Sequence, residues 1–457
     1  MKALIIAAGD GTRLQAFARG RHKCLLPLLG LKIIERVILG AKEAGIIEFV
    51  VVTGYRGKYL RKELGKGEKY GVSIKFVDNP KWEKANGLSV LAAKAFFTKN
   101  ENFVLLVSDH VFDWHTLEKV RRLKLKEREC VLAIDRNLES VRDVADATKA
   151  VVKNGRVAEL GKVLEGYNAY DTGMFFCSPY IFEALRRSTK QGKNSLSDGM
   201  RILVKEGRLR AFNIKNRFWF DCDTHEDIKF AEKGLLRSLT KPQDGFISKK
   251  LNRRLSTFLT KFLIKTPVSP NFISFTLPLL AIPTFFLLAQ GAYPWLFFGG
   301  ILIQLMSVLD GCDGEIARLK FLHSKWGAWV DPILDRYIDA AFIAGMAYGY
   351  WKITDNEFIF PISAFIILVM MLDQYISPHF KSKVGKELRW NRRIAFKRDV
   401  RSLFLALGAM TNQILPVLIL YLVIFQYQVI SKLIAGKRIS EETQKSDFLL
   451  RSSPAKI

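Results

Sequence analysis

Asp310 and Asp313 are three residues apart and Asp331 and Asp335 are four apart, so on two helices each pair shares a face. Gly314, Ala317 and Arg318 continue the first face by a turn, and Asp339 continues the second. The flanking sequence is membrane-like, with FFGGILIQLMSVL before the cluster and AAFIAGMAYGY after it. A carboxylate at bilayer depth costs about 2.5–3.5 kcal/mol, so four cost on the order of 10 kcal/mol, which rivals the stability of a whole domain. The cluster is tolerable only near the interface or in a polar cavity, balanced by cations. Paired carboxylates on facing helices make a site of hard oxygen ligands for divalent metal. The plainer alternative is an interfacial ion-pair network with Arg318, Lys325 and Arg336.

A second set of candidates lies near the N-terminus. Residues 2–8 read as a buried strand, followed by Gly9-Asp10-Gly11-Thr12-Arg13-Leu14 and a basic run reaching Lys23. A glycine turn after a strand lets backbone N–H groups approach phosphates, and Arg13 and Lys23 add charge. Further strands are expected at 48–53, 75–77 and 103–107, with a helix opening at Asn86-Gly87-Leu88-Ser89. Asp109 falls just past the carboxyl end of strand 103–107, where α/β sheets place ligands; a helix cap is the alternative for this residue alone.

The elements that must position these residues divide the 457-residue chain in two. Before about residue 266 the apolar runs are short and strand-like; beyond it they reach membrane-spanning length. The predicted divisions are 1–232, a linker with a juxtamembrane helix at 233–266, a membrane domain at 267–436 and a polar tail at 437–457. The net charge of +27 suits nucleic acid, an anionic membrane or phosphorylated substrates. Cys24, Cys130, Cys177, Cys222 and Cys312 form no CxxC pair, which argues against a zinc ribbon or a disulfide framework. The opening apolar run is too short for a signal peptide, so the first domain is expected in the cytoplasm with reduced thiols.

Lys249, Lys250, Arg253, Arg254, Lys261 and Lys265 alternate with Leu251, Leu255, Phe258, Phe262 and Leu263, which reads as a basic amphipathic helix on an anionic leaflet. About six spans follow, near 272–290, 294–318, 326–350, 358–377, 399–411 and 414–433. The loops near 291 and 354–357 carry almost no Lys or Arg, whereas 319–325 and 381–401 are basic. The positive-inside rule then puts both termini, and the aspartate cluster, on the cytoplasmic side. The basic run that includes Arg389, Arg392 and Arg393 is denser than topology requires. A soluble phosphorylated acceptor would need such a clamp; a diacylglycerol acceptor would not.

The string Asp310-Gly311-Cys312-Asp313-Gly314-Glu315-Ile316-Ala317-Arg318, then Gly327, Asp331 and Asp335, resembles the signature of the CDP-alcohol phosphotransferases. The resemblance implies a membrane enzyme that moves a phosphoryl-alcohol unit from a CDP-linked donor to a hydroxyl, releasing CMP. It implies that Asp310, Asp313, Asp331 and Asp335 hold metal and that Asp335 takes the proton. Gly311, Gly314, Ala317 and Arg318 would meet the nucleotide.

Ala7-Ala8-Gly9-Asp10-Gly11-Thr12-Arg13-Leu14 and Lys23-Cys24-Leu25-Leu26-Pro27 resemble the nucleotidyltransferases that join a nucleoside triphosphate to a sugar phosphate, over about residues 1–230. This resemblance implies nucleotide contacts at Ala8, Gly9, Gly11, Thr12 and Gly87, with Arg13 and Lys23 catalytic. Lys162 would meet the sugar phosphate. Asp109 would hold Mg²⁺ with a second ligand from Trp219-Phe220-Asp221-Cys222-Asp223-Thr224, either Asp221 or Asp223. The sequence departs from the pattern at His22, where proline is usual. The chemistry needs no protein nucleophile, so His22, His110 and His225 are read as structural.

The expected fold is an α/β Rossmann-like nucleotidyltransferase domain followed by an all-α polytopic membrane domain of about six transmembrane helices. The pairing of the two modules resembles the bifunctional family of di-myo-inositol phosphate synthesis, which makes the precursor of a heat-stress osmolyte. That implies CTP and inositol 1-phosphate as substrates, CDP-inositol as the intermediate, and a second inositol 1-phosphate as acceptor. It further implies Mg²⁺ or Mn²⁺ at both sites, a bilayer environment, no nucleic acid, and a homodimer through the membrane domain. A lipid acceptor is the alternative output.

Overall fold

The run KALIIA is apolar at every position after its first residue, which suits a strand covered on both faces rather than one. In the computed structural model it is β1 (Lys2–Ala7), with Ala3, Ile5 and Ala7 in one apolar layer and Leu4 and Ile6 in the other. The structure describes residues 1–14, 21–215, 217–239, 252–388 and 398–452, with side chains as far as 443. Two compact units emerge, Met1–Ser238 and Leu239–Ile457.

In the first unit the strands after β1 are β2 (Pro27–Leu28), β3 (Leu31–Lys32), β4 (Glu48–Thr53), β5 (Ser73–Asp78), β6 (Phe103–Val107) and β7 (His110–Phe112). Then come β8 (Cys130–Asp135), β9 (Lys149–Lys153), β10 (Arg156–Gly161), β11 (Ala169–Cys177), β12 (Leu209–Asn213) and β13 (Trp219–Asp221). Nine of them form one sheet in the order β5-β4-β1-β6-β11-β8-β12-β10-β9. β4 lies on one side of β1 and β6 on the other, all parallel. The strand order therefore reverses between β1 and β6, and the crevice outside their carboxyl ends is where such sheets take ligands. The glycine loop follows β1 and Asp109 follows β6. The small ribbon of β7 and β13 pairs His110 with Asp221 in register. The helix His225–Ser238 runs through the boundary expected at 232, so this unit closes six residues later.

The second unit is helical: Arg253–Leu263, Pro270–Ala289, Tyr293–Lys320, Lys325–Thr354, Ile359–Val384, Arg398–Met410 and Ile414–Ser452. They are called α1 to α7 below. Four of them (α2, α3, α5 and α7) are long and apolar enough to cross a membrane. The sequence reading of six spans differs at two. α4 has 30 residues but carries Asp331, Asp335, Arg336 and Asp339 in its first half. α6 has 13 residues, about 20 Å at 1.5 Å per residue, against a hydrocarbon core of about 30 Å. The polar segment after 436 continues α7 rather than leaving it.

α2 and α4 approach closely because α4 presents glycines on that side. A Cβ on Gly345 would lie 2.9 Å from the Phe285 carbonyl, and one on Gly349 would overlap the Leu288 carbonyl. Gly349→Val must force these backbones apart at a cost of about 1–3 kcal/mol. The expected result is a Tm several degrees lower for the detergent-purified protein; an unchanged Tm would contradict this packing.

Candidate active sites

In the first unit the loop after β1 gives φ +61° at Gly11, a conformation that favours glycine. A Cβ there would strike the Lys23 side chain at 2.6 Å, whereas a Cβ on Gly9 would meet nothing within 4 Å. Gly9 thus leaves open space beside the loop and Gly11 leaves room for Lys23. Ala8 is buried beneath them, with its carbonyl accepting from Tyr55 N at 3.0 Å, and Thr12 is exposed at the loop's edge. Lys23 opens a single 3-10 turn capped by His22, whose φ of −67° is the value a proline ring would impose. The departure from the family pattern therefore keeps the loop shape. Burial, then the Lys23 charge, push the His22 imidazole down to about 4, so it stays neutral and its Nδ1 accepts from Cys24 N at 3.4 Å.

Lys23 Nζ bridges Asp109 and Asp223, 3.1 Å from Asp223 Oδ1. Burial opposes the lysine's charge, but the two carboxylates outweigh it and raise its pKa. Asp109 is likewise held below the usual carboxylate range: burial works the other way, and Lys23 and His110 overcome it. Asp109, His110 and Asp221 bring ligand atoms within 4.8 Å of one another. Asp109 Oδ1 and Asp221 Oδ1 are buried and, among the described residues, have no hydrogen-bond partner. Two hard oxygens left in this state fit a divalent cation. Geometry sets the two candidates apart: Asp221 shares the cluster with Asp109 and His110, while Asp223 pairs with Lys23 and Arg13.

His110 is more than structural in position. Its Nε2 lies 3.4 Å from Asp221 and 3.9 Å from Asp109, and its Nδ1 is 2.9 Å from the Thr172 carbonyl. Burial lowers its pKa, but Asp221 and Asp109 prevail and lift it to about 10. Asp146 had no signal in the sequence, yet it binds Arg13 at 2.8 Å and also holds Lys162. Arg13, His110, Asp146, Lys162 and Asp221 line a cavity of about 280 Å³ with Asn86, Asp171, Gly173 and Trp219. A Cβ on Gly87 would lie 2.5 Å from the Asn194 carbonyl, so the chain packs closely on this glycine, while its neighbour Asn86 lines the cavity.

Gly11→Ala places a methyl on the Lys23 stem in a backbone region that costs alanine about 1–2 kcal/mol. We expect nucleotidyl transfer to fall on the order of 10²-fold as Lys23 is displaced, with the far-ultraviolet circular dichroism unchanged. Wild-type kcat/KM in this variant would show that Lys23 does not need its present position.

In the second unit α3 ends at Phe321, whose φ of 56° turns the chain, and Ser324 caps α4 by accepting from Gly327 N at 2.8 Å. This tight hairpin folds the two carboxylate pairs together. Asp310, Asp313 and Asp331 bring oxygens within 4.8 Å of one another, a hard donor set that again fits a divalent cation. Ser274 on α2 donates to Asp313 at 2.7 Å. Asp335 lies one turn beyond Asp331, with Arg398 of α6 2.6 Å from its Oδ1 and also paired to Asp310. Asp339 is buried between Arg336 at 3.2 Å and Arg401 at 3.1 Å.

Another element supplies a balancing cation that spacing does not indicate. Arg336 reaches Asp339 alone among the described aspartates, and the principal partner of the cluster is Arg398. Gly314 faces Arg318, whose Nη1 would lie 3.3 Å from an added Cβ, and Ala317 is half-buried beside it. Gly311 lies against α1: an added Cβ would lie 3.2 Å from Ser256 Cβ, so the glycine also serves the approach of that helix. Arg389, Arg392 and Arg393 lie outside the described residues.

Residues 2–238 match the family described as nucleotidyl transferase, and residues 267–434 match that described as CDP-alcohol phosphatidyltransferase. The chain is similar to a bifunctional IPC transferase and DIPP synthase of Rubrobacter xylanophilus, 35% identical over 410 residues that cover 89% of this chain and 90% of the relative. A protein of the same name from Thermococcus kodakarensis is 34% identical over 439 residues, covering 90% of this chain and 94% of its own. One from Archaeoglobus fulgidus is 35% identical over 410 residues, covering 88% and 76%.

Proposed function

We propose, because this chain belongs to the family of bifunctional IPC transferases and DIPP synthases, that its two units catalyse consecutive steps. It is a transferase with a nucleotidyltransferase domain and a CDP-alcohol phosphotransferase domain of the membrane type. In the first step CTP and inositol 1-phosphate give CDP-inositol and pyrophosphate. In the second, CDP-inositol and another inositol 1-phosphate give di-myo-inositol-1,3'-phosphate-1'-phosphate and CMP. The observation that carries this reading is the presence of both carboxylate clusters in one chain that matches its relatives over both domains.

When bound at Asp109 and Asp221, and at Asp310, Asp313 and Asp331, divalent cations supply neutralisation of phosphate charge. Mg²⁺ is the ion we assign to both sites. In the first site Arg13 and Lys23 face the triphosphate from the glycine loop, and Lys162 holds the inositol phosphate. The attacking phosphate is already ionised, so positioning and charge suffice and no side chain need act as nucleophile. In the second site the attacking group is a hydroxyl, and Asp335 takes its proton. Arg398 holds Asp335 in place and, once substrate enters, faces its phosphate.

The membrane unit is assigned a bilayer with the sites and both termini cytoplasmic, and a homodimer through that unit. The assignment of the first step is tested by pyrophosphate release from purified protein given inositol 1-phosphate with CTP, UTP or dTTP. CTP alone is expected to support turnover. Equal rates with all three would remove the link to a CDP-alcohol consumer in the same chain.

A further inference from the structure

Glu315 sits two residues beyond Asp313 inside the aspartate motif, yet on another side of α3. Residues turn by about 100° along a helix, so Gly311 and Glu315 share a face that Asp310 and Asp313 do not. That face meets α1. Glu315 is 0% exposed, and its carboxylate accepts from Arg253 Nη1 at 2.8 Å, Ser256 Oγ at 2.7 Å and Thr260 Oγ1 at 2.8 Å. Arg253, Ser256 and Thr260 recur at helical spacing, so one stripe of α1 is devoted to this carboxylate. The contact extends along both helices in parallel. Gln304 donates to Asn252 at 2.8 Å before it; Ile316 packs on Leu259 and Leu263 alongside; Lys320 donates to the Thr266 carbonyl at 3.2 Å beyond.

The outer stripe of α1 is the reverse in character. Leu255, Phe258 and Phe262 are 47%, 61% and 56% exposed, bordered by exposed Arg254, Lys261 and Lys265. An amphipathic helix that buries its hydroxyls inward and leaves its phenyl rings outward, among cations, fits an anionic lipid–water interface. Apolar packing would join two helices more stably than a buried carboxylate does; what the carboxylate adds is a fixed geometry.

We propose that Glu315 is a positioning residue of the phosphotransferase site, through which α1, seated on an anionic lipid surface, fixes the turn of α3 that carries Asp310 and Asp313. The proposal rests on the reading of that site given above. It acts by geometry, since the Glu315 carboxylate is taken up by Arg253, Ser256 and Thr260 of α1. Loss of the carboxylate frees α3 to rotate, and misplacement by about 1 Å at reacting groups costs on the order of 10²-fold in rate.

The test uses full-length protein in vesicles of phosphatidylcholine with or without phosphatidylglycerol, given CDP-inositol, inositol 1-phosphate and varied Mg²⁺. Wild type is expected to be stimulated by phosphatidylglycerol; Glu315→Ala is expected to lower phosphotransferase kcat on the order of 10²-fold, raise the Mg²⁺ concentration for half-saturation, and lose that stimulation. Nucleotidyl transfer in the same sample should be unchanged. Glu315→Gln, still able to accept from Ser256 through its amide oxygen and to donate through its amide nitrogen to the Thr260 hydroxyl, should recover most of the rate. A readout that needs no substrate is maleimide labelling of Ile264→Cys, a position 1% exposed at the end of α1 while the five native cysteines are buried. The introduced thiol should be protected with Glu315 present and labelled with Glu315→Ala. Wild-type kcat and Mg²⁺ dependence in Glu315→Ala, or a thiol that stays protected despite the substitution, would overturn the proposal. If wild type itself forms no phosphodiester, the substrate assignment fails, and the labelling still decides the clamp.

Discussion

Asp335→Asn is expected to stop the protein after its first product, with CDP-inositol accumulating and phosphodiester formation falling on the order of 10³-fold. Asparagine has the size of aspartate, so the hairpin of α3 and α4 should survive. Arg398 keeps its contact with Asp310. What disappears is a carboxylate able to accept the hydroxyl proton, one helical turn from the clustered Asp331. Phosphorus NMR of the reaction mixture separates the outcomes, since CDP-inositol and the phosphodiester give distinct signals. Continued turnover at the wild-type rate would mean that another group takes the proton, and Asp335 would be reduced to a partner of Arg398.

Asp109→Asn should have the complementary effect. It takes the negative charge from one of the two carboxylates assigned to the ion, and with it half of the charge that orients Lys23. A loss on the order of 10³-fold in pyrophosphate release is expected, at the upper end of what a single preorganised electrostatic contact contributes. The second step should persist when CDP-inositol is supplied. Both activities lost together would indicate unfolding or coupling between the units; both retained would remove Asp109 from the site. The pair of variants thus assigns one step to each carboxylate cluster in a single chain.

The strands that carry the nucleotide loop and Asp109 are legible because parallel strands buried on two faces are nearly continuous apolar runs, as in β1, β4 and β6. The aspartate motif is legible because helical spacing alone puts its members on one face. What spacing does not hold is the identity of partners brought by other elements. Arg398 is one of nine cations between 381 and 401, and only the packing of α6 on α3 turns that one toward Asp310. Asp146 is an acidic residue in a polar stretch until the fold sets it between Arg13 and Lys162. His110 reads as structural in the sequence since no acid–base role is open to it, whereas the pairing of β7 with β13 carries it to Asp221.

The glycines teach the same lesson from the other side. A glycine in a motif records that something approaches closely, without saying what. At Gly11 it is the Lys23 side chain, at Gly87 the backbone of Asn194, and at Gly311 the helix α1. The motifs point to nucleotide at all three, and the fold adds a protein neighbour at each that the motifs do not name. Likewise, the hydropathy of 326–350 and 399–411 suggests spans, but the aspartates of α4 and the 13-residue length of α6 leave four helices that meet the requirement outright.

The most direct measurement is a single reaction of the purified, detergent-solubilised protein with CTP, inositol 1-phosphate and Mg²⁺, followed by phosphorus NMR without added lipid. The expected result is transient CDP-inositol giving way to a water-soluble phosphodiester and CMP. Accumulation of CDP-inositol that is consumed only after lipid is added would contradict the assignment, making the acceptor a lipid and the second unit a phospholipid synthase.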